Sequence, residues 1–95
     1  MIRHAVRWTE PAIRDLVGIR AWIAMDDPTT ARRVAVTIKE AVDKLETMPN
    51  RGRPGRVAGT RELILAGWPW IAVYEITEGR VVVLRVLHGA HSSPS

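Results

Sequence analysis

Ninety-five residues, 46% of them hydrophobic and 25% charged, suffice for one domain (1–95) with a modest core, and wholesale disorder is excluded as a description. The absence of cysteine rules out disulfides and thiolate zinc sites and fits a reducing cytoplasm. No apolar run is long enough to span a membrane and the first residues lack a signal-peptide core, so no membrane partner is expected. A formal net charge of +4 calls for an acidic partner, nucleic acid or protein.

Ile2, His4, Val6 and Trp8 alternate with Arg3, Ala5 and Arg7, which predicts a short strand with the first set on one face. Thr9-Glu10-Pro11 follows, an N-cap and first turn in the right order. Ala12, Leu16, Ile19 and Ile23 then recur at helical spacing, with Ile13 and Trp22 widening the stripe, and predict an amphipathic helix to about Met25. Asp27-Pro28 opens a second helix. Its stripe is Ala31, Val34, Ala35, Ile38, Ala41, Val42 and Leu45; Glu40 and Lys44 are placed to pair on its outer face, and Pro49 sets its stop. The connector is very short, so the two helices form a hairpin.

The stretch from Arg51 to Leu63 changes character. It carries four arginines, Arg51, Arg53, Arg56 and Arg61, and its only acid is Glu62. Pro54-Gly55 is turn chemistry and no apolar period runs through it, so a loop is expected. The loop is not a Walker phosphate loop: no Gly-Lys-Ser/Thr ending is present, and Arg61-Glu62 leads into a strand pattern, not a helix. Its arginines still suit phosphate or acidic-protein contact, because guanidinium forks match oxyanions.

Arg61 to Ala66, Trp70 to Thr77 and Arg80 to His88 read as strands, the last two joined by a tight Glu78-Gly79 turn. With a two-residue loop, Ile71, Val73, Val82, Leu84 and Val86 share one face, and Trp70, Tyr74, Val83, Arg85 and Leu87 the other. The order strand, helix, helix, strand, strand, strand makes an α+β domain. In it the helical hairpin packs on one face of a small antiparallel-rich sheet, and the first strand joins by a non-local pairing near an edge. Arg85 interrupts an apolar run, so it must meet a carboxylate such as Glu75 or face an open site. His88 and His91 are spaced badly for a metal pair and no third ligand is close in sequence, so neither metal nor cofactor is expected. As proton-transfer groups beside Arg85 they fit phosphodiester cleavage better.

Several stretches together resemble the ParE/RelE superfamily of small bacterial toxins from type II toxin–antitoxin, or plasmid-stabilisation, systems. They are Trp8-Thr9 entering the first helix, Leu45 to Pro49, Gly52-Arg53-Pro54-Gly55-Arg56, Gly59-Thr60-Arg61-Glu62-Leu63, Trp70 to Tyr74, and Val83 to Ala90. The resemblance implies a β-α-α-β-β-β fold, a growth-inhibiting toxin and a cognate acidic antitoxin, with a higher-order toxin–antitoxin complex allowed. ParE-like members poison DNA gyrase; RelE-like members cut messenger RNA on the ribosome. This chain looks closer to ParE, since Ile71 stands near a place where ribonuclease members often carry a basic residue, and its tail has no tyrosine or phenylalanine. For a gyrase inhibitor, Arg51, Arg53 and Arg56 are the expected target-binding residues. For a ribonuclease, Arg61 and Arg85 are the expected phosphate-binding groups, with His88 or His91 transferring protons. A third alternative is a degenerate member that binds only its antitoxin.

Overall fold

The computed structural model describes residues 3–89. Ile2, His91 and the serines of the tail lie outside them. Strand β1 (Ala5–Trp8) leads into helix α1 (Glu10–Ala24) and then α2 (Pro28–Asp43), with two 3-10 turns at Lys44–Glu46 and Pro49–Arg51. Strands β2 (Arg53–Pro54), β3 (Thr60–Ile64), β4 (Trp70–Thr77) and β5 (Arg80–His88) follow. The sheet runs β1-β5-β4-β3-β2, with β1 parallel to β5 and every other pair antiparallel. The fold is thus α+β with two helices on a mixed sheet, as expected, and the first strand does lie at an edge. The basic stretch is not wholly loop. Arg53 and Pro54 pair with Glu62 and Arg61, which adds a fifth strand of two residues. Among the described residues no helix is long and apolar enough to cross a membrane.

Both helix starts behave as their sequences predict. The Thr9 hydroxyl accepts the Ala12 N–H, and the Asp27 carboxylate accepts the Thr30 N–H and hydroxyl. That pairing, led by the Thr30 hydroxyl, holds the Asp27 pKa below the ordinary carboxylate value. Val34, Ile38, Val42 and Leu45 are completely buried and pack with Ala72, Tyr74, Val81 and Val83 of the sheet. Helix α1 has a narrower seam. Ala12 and Ile19 are buried and Leu16 and Ile23 partly so, but Ile13 and Trp22 are 48% and 68% exposed. They flank the seam on opposite sides, beyond what the sheet and α2 cover. The outer ion pair of α2 is Lys39 to Asp43 at 2.9 Å, one residue back from the expected Glu40 and Lys44.

The β4–β5 hairpin has the expected two-residue turn, Thr77 facing Arg80, and Gly79 takes the left-handed φ of 68° that the turn needs. Its facing departs from simple alternation. Tyr74 lies opposite Val83 but Val73 lies opposite Arg85, so Leu84 is an extra residue in β5. This bulge turns the strand by one position. Trp70, Tyr74 and Val83 share a face as expected, but Val86 joins them on the helix side, and Arg85 and Leu87 move to the side of Val73 and Ile71.

Candidate functional site

The bulge is held from α1. Thr9 donates its N–H to the Val83 carbonyl at 3.0 Å, and its hydroxyl lies 2.9 Å and 3.1 Å from the carbonyls of Val83 and Leu84. Asp15, one turn further on, accepts the Val86 N–H at 2.9 Å and two bonds from the Arg85 guanidinium at 2.7 Å and 3.1 Å. Arg85 therefore has its carboxylate, but it is Asp15, seventy residues away, not Glu75. Burial pushes the Asp15 carboxyl up; the bonds from Arg85 and Val86 and the Arg85 charge outweigh it, and the pKa is lowered. The same pair raises the pKa of Arg85. Half of the Arg85 side chain remains exposed.

A second carboxylate organises the basic stretch. Glu62 is 5% exposed and binds the Arg53 guanidinium at 2.9 Å and 3.2 Å, while its other oxygen accepts the Arg56 N–H at 3.2 Å. Burial alone raises its pKa; the Arg53 and Arg56 contacts and their charges win, and the net shift is downward from 4.5. A third clamp closes the start of the stretch. The Tyr74 hydroxyl accepts the Gly52 N–H at 2.9 Å and donates to the Pro49 carbonyl at 2.6 Å. Arg61 donates to the Gly52 and Asn50 carbonyls at 2.6 Å and 3.3 Å.

These contacts sort the candidate residues. Arg53, with about half of its side chain exposed, and Arg61 hold the turn through Glu62 and the Gly52 and Asn50 carbonyls. Arg56 is exposed, and among the described residues its side chain makes no hydrogen bond or ion pair. Its rim joins that of Arg85 around a groove on the sheet face away from the helices, floored by Val73, Leu84 and Leu87. Arg51 points elsewhere, to the side of α2. His88 sits at the far end of β5, edge-to-face with Trp70 at 5.2 Å between ring centroids. Arg61, Arg85 and His88 thus lie in three different environments, and His91 is outside the described residues. Trp22 reaches the His88 end, where it lines an apolar pocket with Trp70 and Pro69. Asp15 and Tyr74 carried no local signal in the sequence. Glu62 did, as the lone acid among four arginines.

A family model for the ParE toxin of type II toxin–antitoxin systems matches residues 6–92. The chain belongs to the ParE toxin family. The toxin candidate Y4kP of Sinorhizobium fredii is 46% identical over 94 residues, covering 99% of this chain and 97% of that one. Toxin RelE2 of Caulobacter vibrioides is 38% identical over 85 residues, covering 90% and 94%. Among solved structures, a chain of the chromosomal ParDE toxin–antitoxin system from P. aeruginosa superposes with a TM-score of 0.85 at 28% identity, covering 93% of this chain and 98% of that one. A chain of the RelBE2 toxin–antitoxin complex from Mycobacterium tuberculosis gives 0.64 at 30% identity, with 93% of each covered. This ParE-family toxin therefore has relatives bearing both ParE and RelE names.

Glu62, buried, and Asp15, partly buried, both have lowered carboxyl pKa values, so the fold of this ParE-family chain should lose stability in acid. A depressed carboxylate pKa contributes stability that is present above the unfolded value and lost as pH falls through the folded one. For Glu62 the loss begins near the ordinary value of 4.5, and for Asp15 near 3.8. Urea unfolding followed from neutral pH to about pH 3 should show stability falling below about 4.5. Glu62→Gln should be less stable at neutrality and show a shallower fall. An unchanged pH profile in that variant would assign the acid loss to other groups.

Proposed function

We propose that the chain, acting as one toxin domain over 1–95 in the cytoplasm, arrests growth by binding DNA gyrase, and that an acidic antitoxin holds it inactive. The observation that carries this is the commitment of Arg61 and Arg85. Both cations that messenger RNA cleavage would need at phosphate are already engaged, Arg61 with the Gly52 and Asn50 carbonyls and Arg85 with Asp15. Arg56, by contrast, stands exposed at the rim of the outer groove, held there through its backbone by Glu62. Membership of the ParE family supports the same target, and the toxin–antitoxin titles of the structural neighbours support the antitoxin.

Ribosome-dependent RNA cleavage is the alternative, favoured by the 38% identity to toxin RelE2 and by the half-exposed Arg85. Growth assays on folded variants separate the two. Arg56→Glu should weaken the toxin–gyrase complex about tenfold or more, with a smaller penalty at high salt. Arg85→Ala with His91→Ala should leave growth arrest intact if gyrase is the target. Loss of messenger RNA cleavage by roughly 10²-fold or more in that double variant, with gyrase supercoiling untouched throughout, would instead establish the ribonuclease.

A further inference from the structure

Strand β1 covers β5 only from Arg80 to Val83. Past that point α1 takes over the uncovered side. Thr9 holds the Val83 and Leu84 carbonyls, and Asp15 accepts the Val86 N–H at 2.9 Å. The backbone of Arg85 is therefore gripped just before and just after the residue itself. Holding the strand needs an acceptor for Val86 but not a charge, and a neutral asparagine would serve that N–H as well. The charge of Asp15 has a separate use. Its carboxylate takes the Arg85 guanidinium through Nε at 2.7 Å and a terminal nitrogen at 3.1 Å.

The effect of that charge is felt in the outer groove. Three charged residues line it, Arg56, Glu62 and Arg85. Glu62 is paired with Arg53, and Arg85 with Asp15, which is not itself part of the lining. Arg56 is then the one uncompensated charge on the lining, beside an apolar floor of Val73, Leu84 and Leu87. A nucleic acid carries a charge at every phosphate and binds through uncompensated cations that displace its counterions. A single such cation over an apolar floor suits that chain poorly. It suits a protein surface, where an apolar centre with arginine at its margin is usual. Arg85 spends only two of its N–H groups on Asp15 and half of its side chain is exposed, so a second cation already stands at the groove with its charge cancelled.

We propose that Asp15 determines the class of target: it cancels the Arg85 charge and holds the guanidinium at the strand edge, so that the outer groove rejects the phosphate chain of RNA and accepts a protein surface. Asp15 is a positioning residue, acting through Arg85. The inference rests on the gyrase reading for the nature of the accepted target, and not for the rejection of RNA.

The probe is a fluorescein-labelled uridine decamer, its binding followed by anisotropy as salt is raised from about 50 mM. Asp15→Asn keeps an acceptor for the Val86 N–H and removes the charge. It should bind this RNA at least about fivefold tighter than wild type, and the slope of log affinity against log salt should steepen by about 0.7, as for one more cation on a single strand. Arg85→Gln in the Asp15→Asn background should return both quantities to their wild-type values. A purely structural Asp15 would lower stability without raising RNA affinity. Equal RNA affinity for wild type and folded Asp15→Asn, or a gain that survives Arg85→Gln, overturns the proposal. Should Asp15→Asn fail to fold, the wild-type protein decides. The nitrogen-15 signal of the Arg85 Nε–H, held by Asp15, should keep its position during titration with inorganic phosphate to about 50 mM, and its movement overturns the proposal. Gyrase supercoiling is assayed with wild type in parallel. Absence of inhibition with the RNA gain present removes gyrase as the target and leaves Asp15 as the residue that excludes RNA. Inhibition without the RNA gain keeps the gyrase reading and removes that role from Asp15.

Discussion

Ile38→Ala should destabilise the toxin by about 2–5 kcal/mol, a fall in melting temperature of roughly 10 °C or more for a chain this size. Ile38 is completely buried, between the α2 stripe and the central strands, and is among the largest side chains so enclosed. Truncation removes transfer free energy and leaves a cavity that a helix clamped at Asp27 and followed by 3-10 turns cannot easily close. Val36, two residues earlier on the same helix, is 53% exposed, and Val36→Ala should stay within about 0.5 kcal/mol. Equal melting temperatures for the two variants would mean that α2 does not present this face to the sheet.

The clamp under the basic stretch should be nearly as sensitive. A Cβ at Gly52 would lie 2.7 Å from the Tyr74 hydroxyl oxygen, 2.8 Å from its ring and 3.0 Å from the Glu62 carbonyl. Gly52→Ala therefore forces ring and turn apart and should cost about 1–3 kcal/mol. Tyr74→Phe leaves the Gly52 N–H without its acceptor in a buried site, and should cost a similar about 1–3 kcal/mol. The two act on one contact, so the double variant should lose less than the sum of the singles. Chemical denaturation of all four proteins measures this. Additivity within about 0.5 kcal/mol would show that Gly52 and Tyr74 stabilise the fold separately.

The helices were legible because their signals are local. A stripe at intervals of three and four, Thr9 and Asp27 as caps, and Pro28 after Asp27 all act within a few residues. The Glu78-Gly79 turn was legible for the same reason. The bulge was not. From Val81 to Leu87 only Arg85 breaks the apolar run, so alternation leaves the parity of the strand unmarked, and Leu84 shifts it unseen. The bulge depends on Thr9 and Asp15, whose partners lie more than seventy residues downstream. Pairing over such distances is set by how α1 leans on β5, which no window of sequence contains. Arg85 illustrates the consequence for the candidate site. The need for a carboxylate followed from burying a charge, but the choice of Asp15 over Glu75 followed from the tertiary arrangement. The lone acid Glu62 carried a readable hint of a clasp; the arginines around it read equally well as surface charge, and the structure divides them into Arg53 and Arg61, bound to Glu62 and to the Gly52 carbonyl, and Arg56, whose side chain is left exposed.

Gyrase and the ribosome, the two targets, are separated by one parallel assay. Purified toxin is added to DNA gyrase with relaxed plasmid, and in parallel to ribosomes translating a defined messenger RNA. Gyrase inhibition predicts loss of supercoiling that is abolished by the antitoxin and weakened by Arg56→Glu, with the messenger RNA left intact. Cleaved messenger RNA on the ribosome together with unimpaired supercoiling would contradict it.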